Sequence, residues 1–169
     1  GKLFNQHNCN FIVSDYRGYG LSNGTSTKNN LHLDASIIFS YIKSFVSESN
    51  YTGKLIAMGR SLGSASVCEI ISKHPDNIDG CIIESGFATE KPLLDMFNIN
   101  PSDINYSEND GFQNLKKIKN YSKPLFIIHA EQDHIIPINE AKIMHQKTNS
   151  NHKDLWIIPN ANHNDILMH

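Results

Sequence analysis

The feature that most constrains the fold is the pentapeptide Gly59-Arg60-Ser61-Leu62-Gly63, which lies between a short apolar run and a helix-like segment. The apolar run covers residues 55–58, and the helix-like segment covers residues 62–74. A serine at the apex of a very tight strand-to-helix turn takes a strained backbone conformation, which the flanking structure must enforce. We expect side chains at positions 59 and 63 to collide in such a turn, so that both positions require glycine. The pentapeptide alone is equally compatible with an ordinary glycine-rich bend.

Two later segments repeat the pattern of a buried strand followed by a polar loop. The apolar run 125–129 precedes a loop that holds Asp133, and the run 155–158 precedes a loop that holds His163. In open parallel α/β sheets, functional groups collect at the carboxyl ends of the strands. The chain order Ser61, Asp133, His163 is the order of the nucleophile, acid and base in hydrolases with a Gly-x-Ser-x-Gly elbow. Three matches in order and context are far more specific than the pentapeptide alone.

The chain resembles the α/β-hydrolase superfamily, and within it the small serine hydrolases of the esterase, lysophospholipase and acyl-thioesterase type. The loop after the run 125–129 matches the family pattern His-x-x-x-Asp-x-x-(Val/Ile)-Pro at His129, Asp133, Ile136 and Pro137. The segment 15–22, with the sequence Asp-Tyr-Arg-Gly-Tyr-Gly-Leu-Ser, resembles the loop that follows the fourth strand of that family. The resemblance spans essentially the whole chain and implies a mostly parallel sheet flanked by helices.

Hydrophobic periodicity predicts alternating strands and helices, as in an α/β fold. The predicted strands are 11–13, 55–58, 81–83, 125–129 and 155–158, and the predicted helices fall within 31–46, 62–74, 112–118 and 138–145. Against the family fold, these five strands correspond to strands four to eight. The chain is therefore expected to be a partial domain, 1–169, that lacks the first three strands, with a short lid-like insertion at about 85–121. Residues 163–169 are expected to begin a final helix.

The resemblance also gives each candidate residue a role. Ser61 would be the nucleophile, His163 the general base and acid, and Asp133 the group that orients the imidazole. The backbone N–H of Leu62 would be one oxyanion donor. The second donor belongs to a family loop beside a His-Gly dipeptide, which this sequence lacks. The isolated chain is therefore expected to lack a complete oxyanion hole and to be a poor catalyst.

Other residues offer alternatives to these roles. Glu84, at the end of a predicted strand, could be the acid instead of Asp133. His129 is expected to be a core histidine and His134 a surface residue, and the nine histidines show no metal-ligand spacing. The apolar residues of the lid-like insertion could line an acyl pocket or face the core; they are Phe87, Leu93, Leu94, Met96 and Phe97.

Composition excludes several other classes of function. The net charge of −2, with mixed signs, gives no footprint for nucleic acid, and no apolar stretch is long enough to span a bilayer. Cys9, Cys68 and Cys81 are an odd set of cysteines, and Cys68 and Cys81 lie in apolar runs, so we expect buried free thiols and not a disulfide framework. This usage favours a cytoplasmic location, whereas membrane association stays open.

The expected function is that of a serine hydrolase that cleaves a small or lipid-derived carboxylic ester or thioester through an acyl-enzyme, without cofactor or metal. Two alternatives stay open. One is a non-catalytic, hydrolase-like fragment or binding protein, since fold does not dictate function. The other is a serine peptidase of the same fold.

Overall fold

The computed structural model describes the backbone of residues 1–169 and every side chain except that of Leu3. Within these residues, four parallel strands form one sheet in the order β1-β2-β3-β4. The strands are β1 (Ile56–Arg60), β2 (Gly80–Glu84), β3 (Leu125–Ala130) and β4 (Lys153–Ile158). Each overlaps a predicted strand, and the parallel pairing with helical connections confirms the predicted fold class.

Residues 11–13, predicted as a further strand, do not join the sheet, so this prediction is wrong. Val13 is 78% exposed, and the ring of Phe11 stacks on that of Phe4 with their centroids 4.6 Å apart. The family arrangement places another strand between this segment and β1, and the part of the chain that the structure describes supplies none. An extended segment without a neighbour forms no ladder hydrogen bonds, whatever its apolar content.

All four predicted helices are present. The helices are α1 (Lys2–Gln6), α2 (Lys28–Glu48), α3 (Gly63–Lys73), α4 (Lys91–Met96), α5 (Asn114–Lys119) and α6 (Ile138–Lys147). The second begins before its predicted start because Thr27 caps it, its side chain accepting a hydrogen bond from the Asn30 N–H at 3.1 Å. The expected final helix is only a short 3₁₀ segment, Ile166–Met168.

Helices cover one face of the sheet and leave the other partly open. The covered face contributes Cys81, Ile83, Leu125 and Ile127 to a core that α3, α5 and α6 complete. Alternate positions place Met58, Ile82, Phe126 and Trp156 on the other face, where Met58 is 39% and Trp156 61% exposed. Cys68 and Cys81 are buried free thiols, as predicted, whereas Cys9 is exposed.

The segment predicted as a lid-like insertion forms a compact excursion between β2 and β3. It contains α4, the 3₁₀ segments Pro101–Ile104 and Glu108–Asp110, and α5. The buried carboxylate of Glu90 ties it together by accepting hydrogen bonds from the Tyr106 hydroxyl at 2.5 Å and from the Phe112 N–H. Burial and this carboxylate raise the pKa of Tyr106, so the phenol stays protonated. A role for the segment as a lid stays a prediction.

A cluster of charged side chains around the buried Glu69 joins three helices. Glu69 of α3 pairs with Lys73 at 2.6 Å and with Lys117 of α5 at 2.5 Å. The Lys117 ammonium also donates to the ring of His32 on α2 at 3.2 Å. Burial lowers the pKa of His32, and the neighbouring Lys117 charge lowers it further. The cluster therefore holds His32 in its neutral form.

The turn from β1 into α3 depends on one close backbone approach. A Cβ on Gly59 would lie 2.3 Å from the Gly63 carbonyl oxygen and 2.7 Å from Cγ2 of Val67, so no side chain fits at position 59. A Cβ on Gly63 would meet nothing within 4 Å among the described residues. The expected collision is thus confirmed at Gly59 and wrong at Gly63, because Gly63 approaches Gly59 through its carbonyl group and not through the position of a Cβ.

This asymmetry predicts different effects on stability for two matched substitutions. We expect Gly59→Ala to lower the free energy of unfolding by about 3 kcal/mol, since the backbone itself must move. Gly63→Ala, at the first position of α3, should leave it unchanged or raise it by up to about 1 kcal/mol. Urea denaturation of both variants measures the difference. Equal destabilisation by the two alanines would contradict this account of the turn.

The charged cluster predicts a pH dependence of stability. Because the pKa of His32 is lower in the folded protein than in the unfolded chain, the unfolded chain binds more protons as the pH falls below about 6.5. The free energy of unfolding should therefore decrease between about pH 7 and pH 5. His32→Gln should make this decrease shallower, whereas His134→Gln, on the surface, should not. Denaturation curves at several pH values test this, and identical slopes for both variants would contradict it.

Candidate active site

Ser61 lies at the carboxyl end of β1, at the apex of the turn into α3. Its φ of +50° is in the left-handed region, which non-glycine residues rarely adopt. The Ser61 N–H donates to the Glu84 carbonyl at 2.9 Å, and the Ser61 carbonyl accepts from the Ser64 N–H at 2.9 Å. The strained conformation is therefore enforced from β2 on one side and from α3 on the other.

Asp133 lies in the loop after β3, and its side chain is completely buried. One carboxylate oxygen, Oδ1, accepts hydrogen bonds from the backbone N–H groups of Ile135 at 3.0 Å and Ile136 at 2.8 Å. Burial by itself would raise the pKa of Asp133, but these N–H groups and His163 outweigh it and lower that pKa below its ordinary value. The carboxylate therefore stays ionised in a buried site, with Oδ2 directed at a histidine.

His163 lies in the loop after β4 and bridges the other two residues. Its Nδ1 is 2.7 Å from Oδ2 of Asp133, and its Nε2 is 3.1 Å from Oγ of Ser61. With Asp133 ionised, Nδ1 carries the proton that it donates, which leaves Nε2 free to accept from the Ser61 hydroxyl. The structure thus brings the three predicted residues into one chain of hydrogen bonds.

The backbone N–H of Leu62 lies next to Ser61 in the sequence and is unpaired among the described residues. It donates no hydrogen bond to any residue that the structure describes, and it lies at the start of α3. The first N–H groups of a helix are unpaired and carry partial positive charge, which favours an anion in front of them. One donor for a developing oxyanion is therefore available next to Ser61.

Glu84, the alternative acid, has another partner. Its buried carboxylate accepts a hydrogen bond from Nε of Arg60 at 3.1 Å. The carboxylate makes no hydrogen bond with the His163 side chain among the described residues, whereas the Asp133 carboxylate does. The geometry favours Asp133 as the acid. The involvement of Arg60 was not foreseen, since the second position of a Gly-x-Ser-x-Gly pattern carries no sequence signal of its own.

The other histidines of this region lie outside the chain of hydrogen bonds. His129 is fully buried in β3, where Nε2 contacts the Ile136 carbonyl at 2.8 Å, and His134 is exposed, so both expectations are confirmed. Burial lowers the pKa of His129, which keeps the ring neutral. Its bond to Ile136 closes the turn whose N–H groups hold Asp133. Among the described residues, no group of three or more potential ligands could hold a metal ion.

The candidate acyl-pocket residues divide between the core and the surface. Phe87 is fully buried in a small cluster, and Leu93 packs against the same cluster. Met96 is 44% and Phe97 66% exposed. Phe87 and Leu93 therefore face the core, Leu94 is half-buried, and Met96 and Phe97 remain available on the surface. In the described part of the chain, no helix is long and apolar enough to cross a membrane.

Two family models match the chain end to end. A model described as "Serine aminopeptidase, S33" matches residues 1–102, and one described as "alpha/beta hydrolase fold" matches residues 102–169. The chain is 28% identical over 98% of its length to the "Uncharacterized membrane protein YNL320W" of Saccharomyces cerevisiae and covers 58% of that protein. It is 26% identical over 96% of its length to mouse "Alpha/beta hydrolase domain-containing protein 17C" and covers 48% of it. The chain thus spans about half the length of the curated relatives that it matches.

A solved structure shows the same fold at lower identity. The structure "Ferulic Acid bound to Est1E from Butyrivibrio proteoclasticus" superposes with a TM-score of 0.72 at 20% identity, over 91% of this chain and 70% of that one. This likeness by itself concerns the fold alone. Together with the family models, the parallel sheet and the elbow at Ser61, it leads to one conclusion: the chain belongs to the α/β-hydrolase superfamily.

Proposed function

We propose that the protein is a serine hydrolase that cleaves a carboxylic ester or thioester through an acyl-enzyme intermediate. The observation that carries the proposal is the continuous chain of hydrogen bonds from Asp133 through His163 to Ser61. A serine hydroxyl is a weak nucleophile at neutral pH and needs a base within hydrogen-bond reach. His163 meets that requirement, and Asp133 fixes the tautomer that leaves Nε2 free to act.

In the first half of the reaction, Oγ of Ser61 attacks the substrate carbonyl carbon while its proton passes to Nε2 of His163. The negative charge that develops on the carbonyl oxygen faces the Leu62 N–H, and Asp133 stabilises the imidazolium. The bond to the leaving alkoxide or thiolate then breaks, and His163 returns the proton to that group. Water repeats the sequence on the acyl-Ser61 ester and releases the acid.

A serine peptidase is the second candidate, because the family model that covers residues 1–102 is described as a serine aminopeptidase. An aminopeptidase needs an anionic group for the substrate ammonium. Of the two carboxylates beside Ser61, Asp133 is engaged by His163 and two N–H groups, and Glu84 by Arg60. Because both carboxylates are already engaged, an ester is favoured over a peptide as the substrate. Est1E, whose structure is titled with bound ferulic acid, adds support for carboxylic esters as the substrate class. Rates on a nitrophenyl ester and on an aminoacyl nitroanilide would separate the two candidates.

We expect a fluorophosphonate probe to label the full-length protein at Ser61 and to leave Ser61→Ala unlabelled, because only an activated serine reacts with it. Ser66→Ala is a matched control, since Ser66 is buried in α3 and its hydroxyl has no hydrogen-bond partner among the residues that the structure describes. Mass spectrometry of the labelled peptide identifies the site. Labelling that survives in Ser61→Ala would refute the proposal, and an unlabelled wild-type protein would favour the non-catalytic alternative.

The acid is tested by two isosteric substitutions. Asp133→Asn should keep the fold but lower kcat by about 10⁴-fold, because the amide favours the wrong imidazole tautomer. Glu84→Gln should have a much smaller effect, since the amide oxygen still accepts from Arg60 and Glu84 makes no bond to the His163 ring. Steady-state kinetics on a nitrophenyl ester measure both. If Glu84→Gln were the crippling change, the role of the acid would pass to Glu84.

A further inference from the structure

We propose that Arg60 is a positioning residue, which holds the loop of His163 at the distance from Ser61 that proton transfer requires. The inference rests on the proposed function and adds a residue to it. Arg60 lies at the end of β1, directly before Ser61, and its side chain leaves the turn on the side of β2.

Arg60 is anchored by Glu84 of β2. Its Nε donates to Oε1 of Glu84 at 3.1 Å, and the Glu84 side chain is only 5% exposed. The backbone carbonyl of the same Glu84 accepts the Ser61 N–H at 2.9 Å. One residue of β2 therefore fixes both the nucleophile and the arginine beside it. A buried carboxylate needs such a cationic partner, because burial of an unpaired charge is costly.

The guanidinium of Arg60 also reaches the loop that holds His163. Its Nη2 donates to the backbone carbonyl of His163, and it lies 3.3 Å from Oδ1 of Asn164. The planar guanidinium presents several donors in a fixed geometry, so one arginine can bond to Glu84 and to the loop at once. The strands β1 and β4 share no ladder, since β2 and β3 lie between them. Arg60 thus links two strand ends that the sheet itself does not connect.

The remaining bonds of the loop show why this link matters. Within the loop, the Asn162 N–H donates a hydrogen bond to the Asp165 carboxylate. On the side of Asp133, the Ala161 carbonyl accepts a hydrogen bond from the Gln132 N–H at 2.9 Å. On the side of the nucleophile, the bonds from Arg60 are the only hydrogen bonds in the described structure that join the loop to the turn, besides that of His163 with Ser61 itself. Without Arg60, the distance from Nε2 to Oγ would be set from one side only.

A base that shifts by about 1 Å can lose about 100-fold in rate. In the full-length protein, we expect Arg60→Ala to slow fluorophosphonate labelling of Ser61 and to lower kcat, each by about 10- to 100-fold, while KM changes little. Arg60→Lys should be intermediate, since a lysine keeps the charge beside Glu84 but lacks the fork that also reaches the loop. Added methylguanidinium should restore part of the rate of Arg60→Ala.

Lys54→Ala is the matched control, because Lys54 pairs with Asp79 at 3.0 Å across the gap between β1 and β2 at the opposite end of these strands. It should label at the wild-type rate. If Arg60→Ala proves unstable, Arg60→Lys decides the matter, since it keeps a cation beside Glu84. The inference would be overturned if folded Arg60→Lys or Arg60→Ala were labelled at the wild-type rate. It would also be overturned if the loss of labelling only followed the fraction of unfolded protein. Activity that survives in Ser61→Ala would instead overturn the proposed function, so the two failures are distinguishable.

Discussion

The close approach of Gly59 to the Gly63 carbonyl is the constraint on which the rest of the site depends. It lets β1 turn into α3 within a few residues, and it leaves Ser61 in a left-handed conformation at the apex. The hydroxyl is thereby presented above the carboxyl edge of the sheet, and the free N–H of Leu62 follows immediately. Because the strands are parallel, the loops of Asp133 and His163 lie at the same edge of the sheet. The chemistry of the site is a consequence of backbone geometry.

Much of this arrangement could be predicted from the sequence, because the signals were local. Four strands and four helices followed from hydrophobic periodicity, with the loop residues placed by the strands that precede them. The candidate site rested on chain order and on the rule that parallel strands end at one edge. Each of Ser61, Asp133 and His163 needs only its own strand and loop to be recognised, so their juxtaposition followed once the sheet was recognised as parallel.

What could not be predicted depends on partners distant in sequence or absent from it. Residues 11–13 have the composition of a strand, but a strand exists only where a neighbour pairs with it. The symmetry of the pentapeptide predicts the same steric role for Gly59 and Gly63, but which atoms meet depends on the backbone path of the turn, in which the Gly63 carbonyl faces Gly59. Arg60 carries no signal because its partners, Glu84 and the His163 carbonyl, lie 24 and 103 residues away. Similarly, composition could not distinguish Phe87, in the core, from Phe97, on the surface.

The contact between Ser61 and His163 closes a loop of 102 residues, among the longest in the molecule. Closing a loop of that length costs chain entropy, which local helices and adjacent strands do not incur to the same extent. This entropy cost is offset only by the contacts that form when β2, β3 and β4 have all paired and their loops have ordered. Formation of the site therefore requires nearly the whole sheet. With β1 and α3 alone, Ser61 would lack both the Glu84 carbonyl that holds its N–H and the histidine that activates its hydroxyl.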